Sequence, residues 1–475
     1  MTDELTRHSA SRLSRMLRSR AVSPVEVVEA YLARIERLNP QLNAVVALAE
    51  DARERAREIE AALMRGDHVG RLAGVPVTVK DTIEVRGLRT TFGSRLRADY
   101  VPQTEGGALA RLRAAGAIIL GKTNASEMAL DYTTDNPVYG RTNNPFDLAR
   151  TPGGSSGGCA AAVSACMSAA SLASDLVGSI RIPAHFCGVA GLKPTGGRMP
   201  RAGHFPPVEG PFSLGASLGP IARRVKDLSL FFDVLSGDAT GQAGGDDSSA
   251  IAIESFSELR GRRVAFYTDD GVVPVTDETR DAVLKAAGAL KDAGLLLVEA
   301  RPPGVERATD LWLSLFSYAT QRIVGAAYAG REEEAGAAAR AIIERSGKTA
   351  PLSLDDYFDA WTERDRVRAQ LLEWMESTPL VVAPVGAVPA FAHDAARSFV
   401  VGDRTIGAFR AFSYAQAFNV FDLPAVCVPA GQTVEGLPIG VQIAGRPFQE
   451  REVLAAARVV EDALGGWHAP PVALS

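Results

Sequence analysis

Two serine-bearing segments and one lysine hold the side chains with which this chain could do chemistry. Ser155 and Ser156 stand in Gly153-Gly154-Ser155-Ser156-Gly157-Gly158, Ser179 follows Leu176-Val177-Gly178, and Lys80 closes the run Val75-Pro76-Val77-Thr78-Val79. Glycines on both sides of a serine pair let the backbone take positive φ and approach a ligand closely, so these serines sit on a shaped loop. A serine hydroxyl is a poor nucleophile until a base removes its proton, and a lysine can be that base only when neutral. Bringing a lysine from about 10.4 to between 7 and 8 costs roughly 4 kcal/mol, which burial in an apolar, hydrogen-bonding site can supply.

The elements that must position these groups are legible nearby. Val75, Val77 and Val79 alternate as in a half-buried strand, and Lys80 falls where that strand ends. Residues 158–170 are small and uncharged, which suits a helix packed on all sides. Residues 171–175 read as a short strand, and the turn 176–179 presents Ser179 toward the first serine pair. Lys80 precedes Ser155 by 75 residues and Ser179 follows it by 24.

In these motifs and spacings the chain resembles the amidase signature family, serine hydrolases that use a Ser-Ser-Lys triad. The resemblance runs from about Val22 to Val459 with a weaker middle. It implies an α/β fold, a single large α/β/α domain with a central mixed β-sheet flanked by helices. It also implies Ser179 as the nucleophile and Ser155 as a proton relay behind a cis Gly154–Ser155 peptide bond. Lys80 would be the base, and the backbone N–H groups of Leu176, Val177, Gly178 and Ser179 the oxyanion hole. Neither a metal nor a cofactor is expected. Val177 stands where the family most often has glycine, which narrows the backbone's choices and takes space beside the substrate carbonyl. Asp422 stands where glycine is also frequent.

Around this centre, Ser23-Pro24-Val25-Glu26 is a capping box with proline at the first helical position, and the helix is expected to end near Asn39-Pro40. A charged helix covers 50–64. Thr104 caps a helix stopped by Gly116, before a buried strand at 117–120. Gly116-x4-Gly121-Lys122-Thr123 matches the phosphate-binding loop pattern, but Ala117-Ile118-Ile119-Leu120 is what a central strand needs, so the match is rejected. Residues 225–235 read as a helix. Strands at 263–267 and 295–299 flank a helix capped by Thr276 and ended by Gly294, a βαβ unit. Residues 311–377 are mainly helical, and strands return at 381–384, 423–429 and 438–443. Residues 242–249 read as a linker. The expected organisation is one amidase domain over 1–475. It comprises N-terminal helical packing (1–64), a catalytic core (65–235), a variable insertion on the substrate side (236–380) and a return to the core (381–475).

Composition narrows the function. A formal net charge of −5 argues against nucleic acid as a partner. Cys159, Cys166, Cys187 and Cys427 lie in apolar surroundings without Cys-x-x-Cys spacing, so they read as buried free thiols. The N-terminus has no apolar run for a signal peptide, and the uncharged stretch after Arg150 reads as buried core rather than a membrane span. A cytoplasmic protein is expected, acting on a small-molecule amide, with a homodimer left open. Gly153-x-Ser155-x-Gly157 also matches a nucleophile elbow, but His185, His204 and His393 fall in no partner motif. His185 and His204 are expected in the core or at the surface, with a place in a pocket left open. Asp175 and Arg181 are expected to brace the Ser179 turn.

Three readings follow. The first is a stand-alone amidase that releases a carboxylic acid and ammonia or an amine. The second is the A subunit of a tRNA-dependent amidotransferase, acting as a glutaminase. Those subunits usually carry Asp-Gln-Ile-Gly-Pro where this chain has Ala216-Ser217-Leu218-Gly219-Pro220. The third is a non-catalytic protein that keeps the fold, against which an intact Lys80, Ser155 and Ser179 argue.

Overall fold

The computed structural model describes residues 2–237, 256–346, 352–395 and 397–474. The linker expected at 242–249 lies outside them. Thirteen strands are present among the described residues: β1 Val45–Leu48, β2 Pro76–Lys80, β3 Ile118–Thr123, β4 Ala170–Asp175, β5 Ala190–Lys193, β6 Ser217–Ala222, β7 Arg263–Phe266, β8 Leu296–Glu299, β9 Leu380–Pro384, β10 Ser398–Val401, β11 Arg404–Gly407, β12 Ala425–Gln432 and β13 Pro438–Gly445. Eleven of them form one mixed sheet in the order β1-β3-β2-β4-β6-β5-β12-β13-β9-β7-β8, while β10 and β11 make a separate hairpin.

The middle of the sheet follows from the apolar runs. All five residues of β2 are buried, and β2 runs parallel to both β3 and β4, with Val77 facing Ile119 on one side and Ala170 on the other. The alternating valines suggest a half-buried strand, yet β2 is covered on both faces: its two polar residues are satisfied internally, Thr78 by the Ser171 hydroxyl at 3.0 Å and Lys80 by the hydroxyls of Ser155 and Ser174. The Gly157–Ser164 and Arg181–Cys187 helices pack on each other and on the sheet, as do the Val225–Ser236, Asp277–Asp292 and Glu450–Leu464 helices in a second group. The arrangement is the expected α/β/α one. Residues 151–173 are buried throughout, and among the described residues no helix is long and apolar enough to cross a membrane.

Several local expectations change. The helix begun by the Ser23 capping box runs to Leu42, through Pro40, and ends where Asn43 turns left-handed at φ 49°. Proline in a last turn forfeits only the bond to the carbonyl four residues back, here that of exposed Glu36, which water can serve. The helix expected from Thr104 is capped instead by Gly106. Strands β1 and β6 carry no strong local signal and arise from long-range pairing, whereas β10 and β11 close on each other across the Gly402-Asp403 turn, where Gly402 has φ 61°. Asp422 sits at φ 52° and its carboxylate accepts the N–H of Gly196 at 2.7 Å. A left-handed backbone explains why glycine is frequent there, and aspartate is among the few side chains that tolerate it.

The phosphate-loop pattern has a structural explanation. Gly116 has φ 85°, and a Cβ on Gly121 would lie 2.1 Å from the carbonyl oxygen of Ala47 in β1. Lys122 is buried, donating to Thr90 Oγ1 at 2.9 Å and to the carbonyl of Ile83, 3.8 Å from Asp81. Gly121→Ala is therefore expected to destabilise the fold by about 3 kcal/mol, because a backbone carbonyl cannot move aside without breaking the β1–β3 pairing. The urea midpoint of the variant measures this, and the parent protein should bind no nucleoside triphosphate.

Candidate active site

Lys80 ends β2 with no solvent exposure. Its neighbour β4 runs parallel, which sets Ser174 beside it, and the loop before the Gly157–Ser164 helix brings Ser155 over the strand ends. Lys80 Nζ donates to Ser155 Oγ at 2.7 Å and to Ser174 Oγ at 3.0 Å. Among the described residues no carboxylate approaches it within ion-pair distance. Burial, opposed in part by Cys159 and Asp175, brings its pKa down to about 8. The Gly154–Ser155 peptide bond is cis, as the resemblance implies.

Ser179 lies on the turn between β4 and the Arg181–Cys187 helix, and Asp175 organises that turn. Its carboxylate accepts the N–H of Gly178 at 2.8 Å and of Ile180 at 3.1 Å, and takes two bonds from Arg181, each 3.1 Å. Asn419 donates a further bond to it at 3.0 Å, and Arg181 also reaches Gln442 Oε1 at 2.7 Å. Burial alone would raise the Asp175 pKa, but the guanidinium beside it overturns this and holds the carboxyl far below the usual carboxylate range. Asp175 and Arg181 thus brace the turn as expected.

The geometry bears unequally on the four backbone donors. The Gly178 N–H is engaged by Asp175, which makes it part of the brace rather than a free donor. The N–H groups of Leu176, Val177 and Ser179 have no acceptor among the described residues. Gly178 must be glycine: its φ is 104°, and a Cβ would lie 2.6 Å from Ile182 Cδ1. Val177 keeps a negative φ, so its branched side chain is accommodated.

Ser155, Ser174 and Ser179 open together onto a cavity of about 870 Å³. Most of its wall is apolar, including Met128, Leu176, Val177, Phe212, Trp312 and Phe409. One side comes from the Tyr318–Tyr328 and Ala337–Ser346 helices, anchored where buried Glu127 accepts the Tyr328 hydroxyl at 2.5 Å and the Gly336 N–H at 3.0 Å. At the rim Arg397 pairs with Asp131 at 2.7 and 2.5 Å. No cluster of three or more His, Cys, Asp or Glu groups suited to a metal occurs among the described residues. The four cysteines are free and buried.

The two histidines part company. His185 is wholly buried, accepting the Gly440 N–H at 2.7 Å, a core residue. His204 lines the cavity, with Nε2 2.8 Å from Ser174 Oγ. Sequence reading gave no signal for Ser174 or for the partnership with His204, because the contact spans 30 residues and belongs to no motif.

Asp175→Asn removes the charge facing a buried arginine, for an expected loss of about 3–5 kcal/mol. Because the folded pKa of Asp175 lies below the unfolded one, its stabilisation is complete above about pH 4 and drains as the pH falls further. Urea titrations at pH 7 and between pH 4 and 2 test this. The variant should start less stable and lose less on acidification.

Comparison with known proteins agrees with this geometry. The Amidase family profile matches residues 26–454. The chain is 34% identical to a glutamyl-tRNA(Gln) amidotransferase A subunit of Gloeobacter violaceus, covering 98% of both. It superposes on an amidase crystal structure with a TM-score of 0.84 at 29% identity, over 96% of this chain and 100% of that one. A bacterial aryl acylamidase of the amidase signature family gives a TM-score of 0.83 at 28% identity, over 96% of each chain. By its matched length, its relatives and its fold, the chain belongs to the amidase signature family.

Proposed function

We propose that this enzyme cleaves a carboxamide through an acyl-enzyme on Ser179, with Ser155 and Lys80 carrying the proton. The observation that carries this reading is the environment of Lys80, a buried amine whose hydrogen-bond partners are two serine hydroxyls on the cavity wall. An amine without a bound carboxylate is more easily neutral, and neutral Lys80 can take the proton of Ser155 as Ser155 takes that of Ser179. The free N–H groups of Leu176, Val177 and Ser179 are the donors for the oxyanion, each worth roughly 2.7–4 kcal/mol if lost. The same proton returns to the leaving amine, and water then releases the acid.

For the substrate, the lining favours an amide with a sizeable apolar acyl group. Ala216 and Ser217 line the cavity at positions where amidotransferase A subunits usually carry aspartate and glutamine. Small uncharged side chains there offer no counter-charge to the ends of free glutamine. A second reading has its own support: curated relatives at 31–34% identity over nearly the full chain are amidotransferase A subunits. On overall sequence likeness the glutaminase reading is the better supported, whereas the cavity lining favours the stand-alone amidase. A cytoplasmic location and a homodimer belong to the same proposal.

A panel of aryl and long-chain amides, with glutamine included, separates the readings. The protein alone should turn over at least one apolar amide with kcat/KM tenfold or more above glutamine. Activity confined to glutamine, and dependent on added partner subunits, would establish the amidotransferase reading instead. Ser179→Ala should lose labelling by a fluorophosphonate while keeping its unfolding free energy within about 1 kcal/mol, as expected when only a cavity-facing hydroxyl is removed.

The base assignment has its own test. Only unprotonated Lys80 accepts a proton, so kcat/KM should rise with pH through about 8, the value to which burial brings it. Lys80→Arg keeps the charge but cannot lose its proton, so it should be as inactive as Lys80→Ala. Substantial turnover by Lys80→Arg would remove Lys80 as the base.

A further inference from the structure

We infer that His204 is a positioning residue: it draws the proton of the Ser174 hydroxyl toward itself, so that the lone pair of Lys80 is left to Ser155. The inference rests on the roles proposed above for Lys80 and Ser179.

Directionality carries the argument. His204 Nδ1 lies 2.9 Å from the carbonyl oxygen of Pro206, which can only accept, so Nδ1 holds the ring proton. Nε2 is then an acceptor with one lone pair, and of the two hydroxyls facing it Ser174 at 2.8 Å, closer than Thr82 at 3.3 Å, is the one that donates. The Ser174 hydroxyl has one proton, and that proton points at His204. Toward Lys80 Nζ, 3.0 Å away, the same oxygen can only accept. Neutral Lys80 has one lone pair and spends an N–H on Ser174, which leaves the lone pair for the Ser155 hydroxyl at 2.7 Å. Without His204 the Ser174 proton is free to turn to Lys80 and compete with Ser155.

The position of the ring is fixed by the backbone. Ile83 and His204 form an antiparallel bridge, Glu84 N–H donates to the Gly203 carbonyl at 2.8 Å, and Phe205 N–H donates to that of Thr82 at 2.9 Å. The residues that follow Lys80 in the chain therefore hold the imidazole in register with it. Phe205 stacks on Phe92 with centroids 4.6 Å apart, which fixes the far side of the loop. Burial, with the charges of Lys80 and Lys122 facing it, lowers the His204 pKa to about 3, so the ring is a neutral acceptor at working pH.

The test uses two substitutions that split the ring. The amide nitrogen of His204→Asn stands in for Nδ1 and keeps the Pro206 bond but cannot reach Ser174. The longer His204→Gln puts its amide oxygen where Nε2 was and can accept from Ser174. The readout is the rate of fluorophosphonate labelling at pH 8: the Ser179 Oγ–P bond forms, the P–F bond breaks with departure of fluoride, and the serine proton passes to Lys80 through Ser155. His204→Asn should slow labelling at least tenfold and His204→Gln no more than threefold. Ser174→Ala removes the competing proton together with the acceptor of the Lys80 N–H, so it should slow labelling less than His204→Asn does, and adding His204→Asn to Ser174→Ala should change it less than twofold further. Histidine ¹⁵N spectra of the parent should show Nδ1 protonated and Nε2 bare from pH 6 to 9, independently of activity. Equal losses in Asn and Gln, multiplicative effects of His204→Asn and Ser174→Ala, or a proton on Nε2 would each overturn the inference. An unlabelled parent, or a labelled Ser179→Ala, would instead refute the proposed mechanism and take this inference with it.

Discussion

An amine sealed inside the sheet, with no carboxylate at ion-pair distance among the described residues, is the constraint around which the candidate site is arranged. Burial lowers the pKa of three lysines to about 8: Lys80, Lys122 and Lys193. Basicity therefore does not single out Lys80. Partners do: Lys122 has Asp81 3.8 Å away, and Lys193 gives its ammonium to the Pro194 carbonyl at 2.9 Å. Lys80 alone of the three donates to hydroxyls that face the cavity. An exposed amine would be hydrated and charged, and one with no contact to the cavity would be useless as a base. In the mechanism proposed above a bridging serine answers both demands, since it would let the proton cross while the lysine stays dry.

Holding a hydroxyl over the end of a central strand requires backbones to meet closely, and that accounts for the glycines. A Cβ on Gly154 would lie 2.5 Å from the Asp131 carbonyl oxygen, on Gly157 2.3 Å from Thr134 Oγ1, and on Gly158 2.4 Å from the Asn124 carbonyl oxygen. The Gly157–Ser164 helix has every residue buried and so no amphipathic face. Small side chains let it sit against the sheet while the loop leading into it keeps Ser155 above Lys80.

This part of the molecule was readable because its signals are local. Glycine density, the alternating valines and the uncharged run after Arg150 each report a contact made by the residues that carry them. The strand-end position of Lys80, the Ser179 turn and its Asp175–Arg181 brace followed from such patterns. What stayed hidden depends on strands distant in sequence. Strand β6 lies between β4 and β5, and nothing in residues 217–222 names those partners. His204 falls on the cavity because its loop pairs with residues just after β2, and its neighbours look like an ordinary proline turn. The engagement of the Gly178 N–H by Asp175 could not be foreseen either, since a turn sequence does not say which of its donors a nearby carboxylate takes.

The cavity's far wall obeys a different rule from its floor. Met128, Val324, Tyr328, Ala335 and Ala339 form a small hydrophobic cluster of their own, apart from the main core. Buried polar groups tie it to the rest: Glu127 accepts from Tyr328 and Gly336, Ser94 Oγ lies 2.6 Å from the Tyr328 hydroxyl, and the Met128 N–H donates to the Phe92 carbonyl at 2.8 Å. Side chains there can change size without disturbing the strands that bury Lys80, because packing strain is felt mainly by direct neighbours. Solved relatives at 28% identity that include an aryl acylamidase and a 6-aminohexanoate cyclic dimer hydrolase still superpose with TM-scores of 0.83 and 0.84. In this chain a floor made by the central strands and a wall packed partly in its own cluster separate the placement of the polar groups from the shape of the space above them.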